Sequence, residues 1–279
     1  MLNGMTWLRF DRQQGFTLLE AVIVIVITGI IAGAISVFMV GPVKGYFDTA
    51  RRADMSDAAD TALRRMARDI QSALPNSVRV SGATYLEFVP IKTAGRYRAE
   101  KGISVSDDPL DFTVADSSFD VLGDAVSVTS GDKIVIFNMG QAGASVYDSV
   151  TTPVNFHATN ASGNVSKITF ASAVQFPFSS PGNRFQVVST AVSYVCDTVN
   201  HRLMRYSGYV IQDSQPVSMG ASPLSGATSA ILASNVTTCS LSYTSGVLER
   251  NGLVTIRLAI TEQGETVDLL HQVNVVNTP

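Results

Sequence analysis

The first residues that could carry out specific chemistry lie where a polar N-terminal segment meets a long apolar run. The junction reads GFTLLE over residues 15–20, and Glu20 is the single charged residue of the apolar run 16–40. A carboxylate in an apolar, membrane-length helix is costly, and such residues usually have a function. A carboxylate at such a position could pair with a cation of a neighbouring chain. The alternative is a tolerated carboxylate that reaches lipid head groups.

The apolar run is long enough to cross a membrane. Residues 16–40 number 25, and a helix of that length spans more than the roughly 30 Å of a hydrocarbon core. Arg9 and Arg12 precede the run, and positive charge holds that end in the cytoplasm. A common secretory signal has a shorter apolar core with its cleavage site after it. The sequence therefore predicts one membrane span, with the C-terminal part outside the cytoplasm.

Two cysteines, Cys196 and Cys239, lie in that exported part. In an oxidising compartment an isolated pair most simply forms a disulfide. A zinc site would need more ligands than two thiols, and no histidine lies at ligand spacing from either cysteine. We therefore expect a disulfide and no bound metal.

The remaining chemistry-bearing residues form no recognisable catalytic motif. His157, His201 and His271 are scattered, and no nucleophile elbow, zinc-protease or phosphate-loop motif is present. We expect no enzyme activity and no cofactor. The net charge of −3 argues against a nucleic-acid-binding surface. A basic series in the helix could bind DNA, but interleaved aspartates favour a solvated face; it comprises Arg51, Arg52, Arg64, Arg65 and Arg68.

An acidic stretch is the one further candidate for a metal site. Residues 107–149 are predicted to be an insertion or long loop rich in carboxylates. Several loop carboxylates could bind calcium, but no fixed ligand spacing is present, so a solvated acidic loop is favoured. The carboxylates are those of Asp107, Asp108, Asp111, Asp116, Asp120 and Asp124.

A long helix must position the N-terminal residues. Beyond the apolar run, Gly41-Pro42 predicts a kink or local melting, and residues 44–74 read as a helix that ends at Pro75-Asn76. One face is apolar at helical spacing. Two pairs on the outer face, Asp60 with Arg64 and Arg65 with Asp69, lie four residues apart. The apolar face comprises Met55, Ala59, Ala62, Met66, Ile70 and Ala73.

From residue 76 onward the pattern is typical of β-structure. Short apolar runs alternate with Gly, Ser, Asn and Asp, and residues 212–230 read as a loop. Residues 263–265 are predicted to turn a hairpin between the last two strands. The fold class is therefore α+β. The predicted strands cover residues 78–80, 85–91, 133–138, 167–170, 184–196, 201–210, 239–243, 253–260 and 267–276.

The junction motif resembles the class III signal of type IV prepilins and type II secretion pseudopilins. That signal combines a basic leader, a cleavage glycine, an N-methylated aromatic residue and a carboxylate at the fifth mature position. The resemblance implies that a prepilin peptidase cuts after Gly15 and methylates the new amine of Phe16, four residues from Glu20. It also implies that Glu20 serves subunit assembly, in which the carboxylate of one chain can pair with the Phe16 amine of a neighbour. It also implies the type IV pilin-like fold, in which a long N-terminal transmembrane and stalk helix packs on an antiparallel β-rich head. Its expected domains are a removed leader (1–15), a transmembrane half-helix (16–40), a periplasmic half-helix (41–75) and a head (76–279).

Two further segments are similar to those of minor pilins. Residues 193–206, SYVCDTVNHRLMRY, resemble a strand, turn and arginine-aromatic return strand of the PilW and pseudopilin J group. Residues 63–80, LRRMARDIQSALPNSVRV, resemble minor pilin-like proteins of mannose-sensitive haemagglutinin (MSHA) pilus systems.

This resemblance implies a minor subunit that takes part in pilus assembly or initiation. Its expected partners are other minor pilins, the major pilin, the peptidase, an inner-membrane assembly platform protein and membrane lipid, and no nucleic acid. It would sit first in the inner membrane, with the head in the periplasm, and then in the filament at the cell surface.

Two alternatives stay open. A type II secretion minor pseudopilin would carry the same signal, and size and cysteine pair do not separate it from a pilus subunit. A filament-tip adhesin is the other, although the single tryptophan, Trp7, lies in the leader and leaves the mature head none for sugar stacking.

Overall fold

In a computed structural model of the chain, the structure describes residues 15–148, 155–246 and 251–277. The leader prediction lies outside these residues except for Gly15. The chain divides into two compact units between Arg51 and Arg52. A long helix and a β-rich antiparallel head confirm the α+β, pilin-like fold class.

Helix α1 runs over Leu18–Gln71 and has 54 residues. It is helical through Gly41 and Pro42, so the prediction of local melting there is wrong. Proline removes a single backbone donor, and the neighbouring turns retain their own hydrogen bonds.

The helix ends earlier than Pro75-Asn76, and the reason is tertiary. The amide of Leu74 donates to the carbonyl of Val89 over 2.8 Å, and the amide of Ile91 donates to the carbonyl of Ser72 over 3.0 Å. These residues therefore exchange helical bonds for bonds to an extended segment of the head. Asn76 then turns the chain with a positive φ of 59°.

Sixteen strands make up the sheets of the described residues. In chain order they are β1 (Arg79–Ser81), β2 (Tyr85–Phe88), β3 (Ile91–Tyr97), β4 (Asp116–Leu122), β5 (Val126–Val128), β6 (Lys133–Val135), β7 (Phe156–Ala158), β8 (Gly163–Val165), β9 (Lys167–Val174), β10 (Arg184–Val188), β11 (Ala191–Asp197), β12 (Arg202–Tyr209), β13 (Thr228–Ser234), β14 (Val236–Thr244), β15 (Gly252–Glu262) and β16 (Glu265–Val275).

The strands form three main antiparallel sheets. The first sheet has the order β1-β2-β11-β12-β13, the second has the order β7-β6-β10-β3-β4-β9, and the third has the order β14-β15-β16. A separate pair joins β5 and β8.

One core joins the second half of α1 to the first and third sheets. The predicted apolar face of the helix is confirmed, since all six of its residues are buried, and Leu63 is buried with them. They lie in one cluster with buried residues of β2, β11 and β15, such as Phe88, Tyr194 and Ile256. Burial of this apolar surface is the main stabilising term for the unit.

A second core belongs to the second sheet and is rich in aromatic rings. Tyr97, Phe119, Phe176 and Phe185 are fully buried in it. Phe119 contacts Phe185 with ring centroids 5.3 Å apart in an edge-on arrangement, which aromatic pairs favour.

Residues 107–148 are not one long loop, and that part of the prediction is wrong. Besides β6, which the predicted strand 133–138 covers, they hold β4 and β5, and alternate residues such as Phe119 and Val121 enter the second core. Of the aspartates that suggested a loop, Asp116 and Asp120 lie in β4 on positions that alternate with Phe119 and Val121, and the other four lie before or after this strand. The strands are short, and the alternation is hard to see between so many polar residues.

The segment 184–196 is two strands and not one. Strand β10 lies in the second sheet and β11 in the first, with Ser189 and Thr190 between them. The chain therefore crosses between sheets where the sequence shows a continuous β-type run. Strands β3, β7, β8 and β13 were also missed; the last begins inside the predicted loop 212–230.

The terminal hairpin is confirmed. Glu262 pairs with Glu265 across a two-residue turn, in which Gln263 has a φ of 48° and Gly264 a φ of 86°. Positive φ at both positions is the type I′ geometry that matches the twist of paired strands.

Candidate functional site at the helix N-terminus

Thr17 caps the first turn of α1. The amide of Glu20 donates to the Thr17 hydroxyl oxygen over 3.2 Å, and the amide of Ala21 donates to the Thr17 carbonyl over 3.2 Å. Thr and Glu three residues apart at a helix start have the spacing of a capping box, and the bond to the Thr17 hydroxyl is one half of it. The Thr-x-x-Glu spacing of residues 17–20 is the signal from which this cap could be predicted.

The cap fixes where Glu20 lies. Because the helix begins at Leu18 and not at Phe16, Glu20 is the third helical residue and lies in the first turn. The partial positive charge of a helix N-terminus favours a carboxylate there. Glu20 is therefore held at the start of the apolar run and not within its middle.

The side chains around Glu20 are exposed. Phe16 is 71% exposed and Leu18 84%, and the large apolar residues from 18 to 40 are likewise uncovered by the rest of the described chain. Helix α1 is long and apolar enough to cross a membrane, which suggests membrane anchoring. This surface requires a covering of lipid or of other proteins. The predicted Glu20–Phe16 pair joins two chains, so it stays a prediction.

In the head, Cys196 and Cys239 form the expected disulfide. Their Cα atoms are 5.7 Å apart, and both residues are buried within the core that contains α1. The bond connects β11 of the first sheet to β14 of the third, which are joined by no shared strand. It therefore fixes the two sheets that hold the helix.

Asp69 attaches the end of α1 to the first sheet. The Tyr194 hydroxyl donates to its carboxylate over 2.7 Å, and Arg205 Nε donates to the same oxygen over 2.8 Å. Burial and the Asp69 carboxylate raise the pKa of Tyr194, so this hydroxyl stays a donor. The predicted pairing of Asp69 with Arg65 on an outer face is wrong, because Asp69 faces the sheet.

The basic residues of the helix are largely neutralised. Arg64 pairs with Asp60 over 2.5 Å, as predicted, and Arg51 pairs with Asp48 over 3.1 Å. Arg52 pairs with Glu265 of the terminal hairpin over 2.5 Å. These contacts favour a structural role for the series.

A buried charged cluster in the first sheet was not predicted from the sequence. The Glu87 side chain is fully buried and pairs with Arg79 Nε over 2.6 Å. The Tyr209 hydroxyl donates to Glu87 over 3.1 Å, and the Arg79 guanidinium lies 3.6 Å from the centre of the Tyr147 ring. Burial raises the pKa of Glu87, against the opposing effect of Arg79. Arg79 also donates to the carbonyls of Gln212 and Asp213, so the cluster holds this loop on the sheet.

Three aspartates of the acidic stretch form ion pairs with cations of the chain. Asp107 and Asp120 both pair with Arg98, at 3.4 and 3.2 Å, and Asp108 pairs with Lys167 over 2.8 Å. Burial would raise the pKa of Asp108, but hydrogen bonds from Lys167 and Ser118 leave it lowered. Across residues 15–148, 155–246 and 251–277, no group of three or more His, Cys, Asp or Glu side chains is arranged to hold a metal ion.

The three histidines lie in separate places. His157 is in β7, His201 lies in the turn between β11 and β12, and His271 is in β16. His157 donates to the carbonyl of Gln175 over 3.3 Å and stands edge-on to the Phe176 ring at 4.8 Å. Burial lowers its pKa.

Comparison with known proteins gives one match. The family model described as the prokaryotic N-terminal methylation motif matches residues 10–36, which include Gly15, Phe16, Thr17 and Glu20. No curated protein and no solved structure matches the chain. The matched motif, together with the apolar helix and the β-rich head, supports a type IV pilin-like or pseudopilin-like protein.

Proposed function

We propose that this protein is a minor pilin-like subunit of a type IV pilus, and that it acts in the assembly or initiation complex of the filament. The observation that carries the proposal is the exposed apolar helix that begins with the capped Glu20 inside the methylation motif. The role is structural, without catalysis or a cofactor.

In the proposed maturation, a prepilin peptidase cleaves after Gly15 and methylates the new amine of Phe16. The cut leaves Phe16 directly before the Thr17 cap, so the amine lies at the positive end of α1. The charge of the amine and the partial positive charge of the helix end together favour a nearby anion. A neighbouring subunit's Glu20 supplies one, and the pair sets the axial register between subunits.

In the proposed assembly, the apolar run first holds the subunit in the inner membrane with the head in the periplasm. A platform protein then moves it into the filament, where other minor pilins and the major pilin cover the apolar surface. Reburial of that surface supplies the driving force. The Cys196–Cys239 disulfide suits a head that folds outside the cytoplasm.

A narrower form of the proposal places the subunit in an MSHA-type pilus. It rests on the resemblance of residues 63–80 to MshO, a minor pilin-like protein of that system. The same signal and head also fit a minor pseudopilin of type II secretion, which is the alternative. Loss of pili, as opposed to loss of secreted enzymes, in a deletion strain would separate the two.

The first experiment is intact-mass and N-terminal peptide analysis of the chain from its native membrane. We expect a chain that starts at N-methyl-Phe16 in a strain with active prepilin peptidase, and the full leader in a strain without it. A retained leader in both strains, or cleavage after the apolar run, would overturn the proposal.

The second experiment tests Glu20 directly. We expect Glu20→Ala to leave membrane insertion unchanged and to lower the number of pili, because the axial pair is lost. Asp57→Ala is the control, since it removes an exposed carboxylate of the same helix. Equal pilus counts for Glu20→Ala and the control would contradict the role of Glu20.

A further inference from the structure

Strand β16 leaves one edge of the third sheet open. It spans 11 residues, pairs with β15 alone in that sheet, and keeps register along its whole length. Natural proteins usually blunt such edges with lysine, proline, a bulge or a covering segment. Strand β16 contains no lysine, proline or bulge, and its two carboxylates, Glu265 and Asp268, are paired with Arg52 and Arg257.

The other long edge strands of the described sheets, β14, β13 and β9, are protected. Strand β14 has a register shift, and the amide of Leu241 donates to the carbonyl of Ala83, so its outer edge is covered. Strand β13 is shorter and pairs through a register shift. Residues 159 and 160 pair with Phe170 and Thr169 of β9, so part of its outer edge is covered. Strand β16 is the long, regular edge of the described head.

The type I′ turn decides which backbone groups of β16 are free. A two-residue turn makes Glu262 and Glu265 a hydrogen-bonded pair, and bonded and non-bonded pairs alternate along an antiparallel ladder. The odd-numbered residues of β16 therefore bond to β15. The amides and carbonyls that point outward belong to Thr266, Asp268, Leu270, Gln272 and Asn274.

These outward-facing residues are symmetric about Leu270. In an antiparallel pairing of two β16 strands centred there, Leu270 faces Leu270 of the second copy, Asp268 faces Gln272, and Thr266 faces Asn274. No like charges oppose one another, and every outward amide and carbonyl finds a partner, giving about ten backbone hydrogen bonds. Leu270 is 65% exposed and would be covered. The Asp268 charge is already bound by Arg257 over 2.6 Å.

We propose that β16 is a self-association edge, through which two copies of this chain join their third sheets into one six-stranded antiparallel sheet. The occupant is a second copy because the register centred on Leu270 pairs every outward amide and carbonyl of the edge and opposes no like charges. Strand addition of this kind takes its affinity from main-chain bonds and its register from the facing side chains. The proposal does not depend on the pilus assignment.

Cysteine cross-linking of the full-length chain in its native membrane tests the register. Leu270→Cys should give a disulfide-linked dimer under mild oxidation, because the two Leu270 positions face each other. Thr266→Cys and Asn274→Cys should each stay monomeric when produced alone, and should cross-link when the two variants are produced together. A monomeric Leu270→Cys variant, equal cross-linking by all single variants, or cross-linking of Leu270→Cys to a different protein would overturn the proposal.

A charge substitution tests the association without cross-linking. Leu270→Lys places two ammonium groups opposite each other, so the dimer fraction of the detergent-solubilised chain in native mass spectrometry should fall at least tenfold. Ile231→Lys is the matched control, since Ile231 is an exposed aliphatic residue, 50% exposed, on the edge strand β13. It should leave the dimer fraction unchanged. Equal effects of the two variants, or a wild-type chain that is monomeric throughout, would overturn the proposal.

Discussion

At the scale of single residues, Thr17 and Glu20 act as one unit. The Thr17 cap holds Glu20 in the first turn of α1, where a carboxylate is favoured by the helix dipole. The position four residues from Phe16 is a sequence fact, whereas its place at the end of the helix follows from the cap. The Thr17 hydroxyl thus holds the Glu20 carboxylate, which we propose acts in subunit assembly, in the first helical turn.

Glu87 is the residue whose loss we expect to cost the head most among its charged groups. Glu87→Gln should lower the free energy of unfolding by about 3 kcal/mol, because it leaves Arg79 without its buried partner. Urea unfolding of the full chain in detergent, followed by circular dichroism, measures the change. Arg64→Ala, which removes an exposed pair with Asp60, should change stability by less than about 1 kcal/mol. Equal losses in the two variants would show that the buried cluster contributes little.

His157 makes the head sensitive to mild acid. Burial near Phe176 lowers its folded pKa below the unfolded value of 6.5, so the unfolded chain binds a proton more readily. The stability that follows is present above about pH 6.5 and is lost as the pH falls toward the folded pKa.

Melting temperatures of His157→Gln and wild type between about pH 7.5 and 5.5 test this linkage. The wild-type melting temperature should fall over this range, and the fall should be smaller in His157→Gln. His271→Gln removes a histidine outside the aromatic core and should retain the wild-type slope. A His157→Gln slope equal to that of wild type would contradict the assignment.

At the scale of elements, the second half of α1 is held by three kinds of contact. Its apolar face enters the core with the first and third sheets. Asp69 binds Tyr194 and Arg205 of the first sheet, and Arg52 binds Glu265 of the third. The disulfide then links those two sheets. Each sheet is thus tied to the helix and to the other sheet.

The disulfide should stabilise this arrangement strongly. Replacing both Cys196 and Cys239 by serine should lower the free energy of unfolding by about 4 kcal/mol, since the bond closes a 43-residue separation. Urea unfolding under non-reducing conditions measures the loss. A reducing agent should bring wild type to the level of the variant and leave the variant unchanged. Free alkylation of both cysteines in the native protein would contradict the bond.

At the scale of the whole molecule, the two compact units differ in whether their apolar residues are buried. The buried core residues of the described chain begin at Met55, whereas the large apolar residues before position 41 are exposed. The second unit therefore carries its own core. The first unit exposes an apolar surface that water cannot accommodate.

Charges placed in the apolar run should affect the two units differently. Ile27→Lys with Ile30→Lys should raise the free energy of membrane insertion by about 5–7 kcal/mol, at 2.5–3.5 kcal/mol per central lysine. The fraction that resists alkaline carbonate extraction should fall, and the melting temperature of the head should not. Ile103→Lys adds a lysine at a fully exposed head position and should leave both unchanged. Retention of the double variant in the membrane would contradict anchoring by this run.

Features that depend on neighbouring residues along the chain could be predicted from the amino-acid sequence. The apolar run, the Gly15–Glu20 motif, the apolar helical face from Met55 to Ile70 and the terminal hairpin all have short periods or fixed local spacing. Such patterns need no knowledge of distant residues. The pairing of Cys196 with Cys239 also followed, because only two cysteines exist.

The folded tertiary arrangement sets which distant residues meet. It ends α1 at Gln71 because residues 72–74 pair with residues 89–91. It divides residues 184–196 between two sheets, and it brings Asp69 to Arg205 instead of Arg65. It also organised the acidic stretch around a second aromatic core. In each case a long-range hydrogen bond or a buried surface outweighed a local preference, and these energies depend on residues more than ten positions apart.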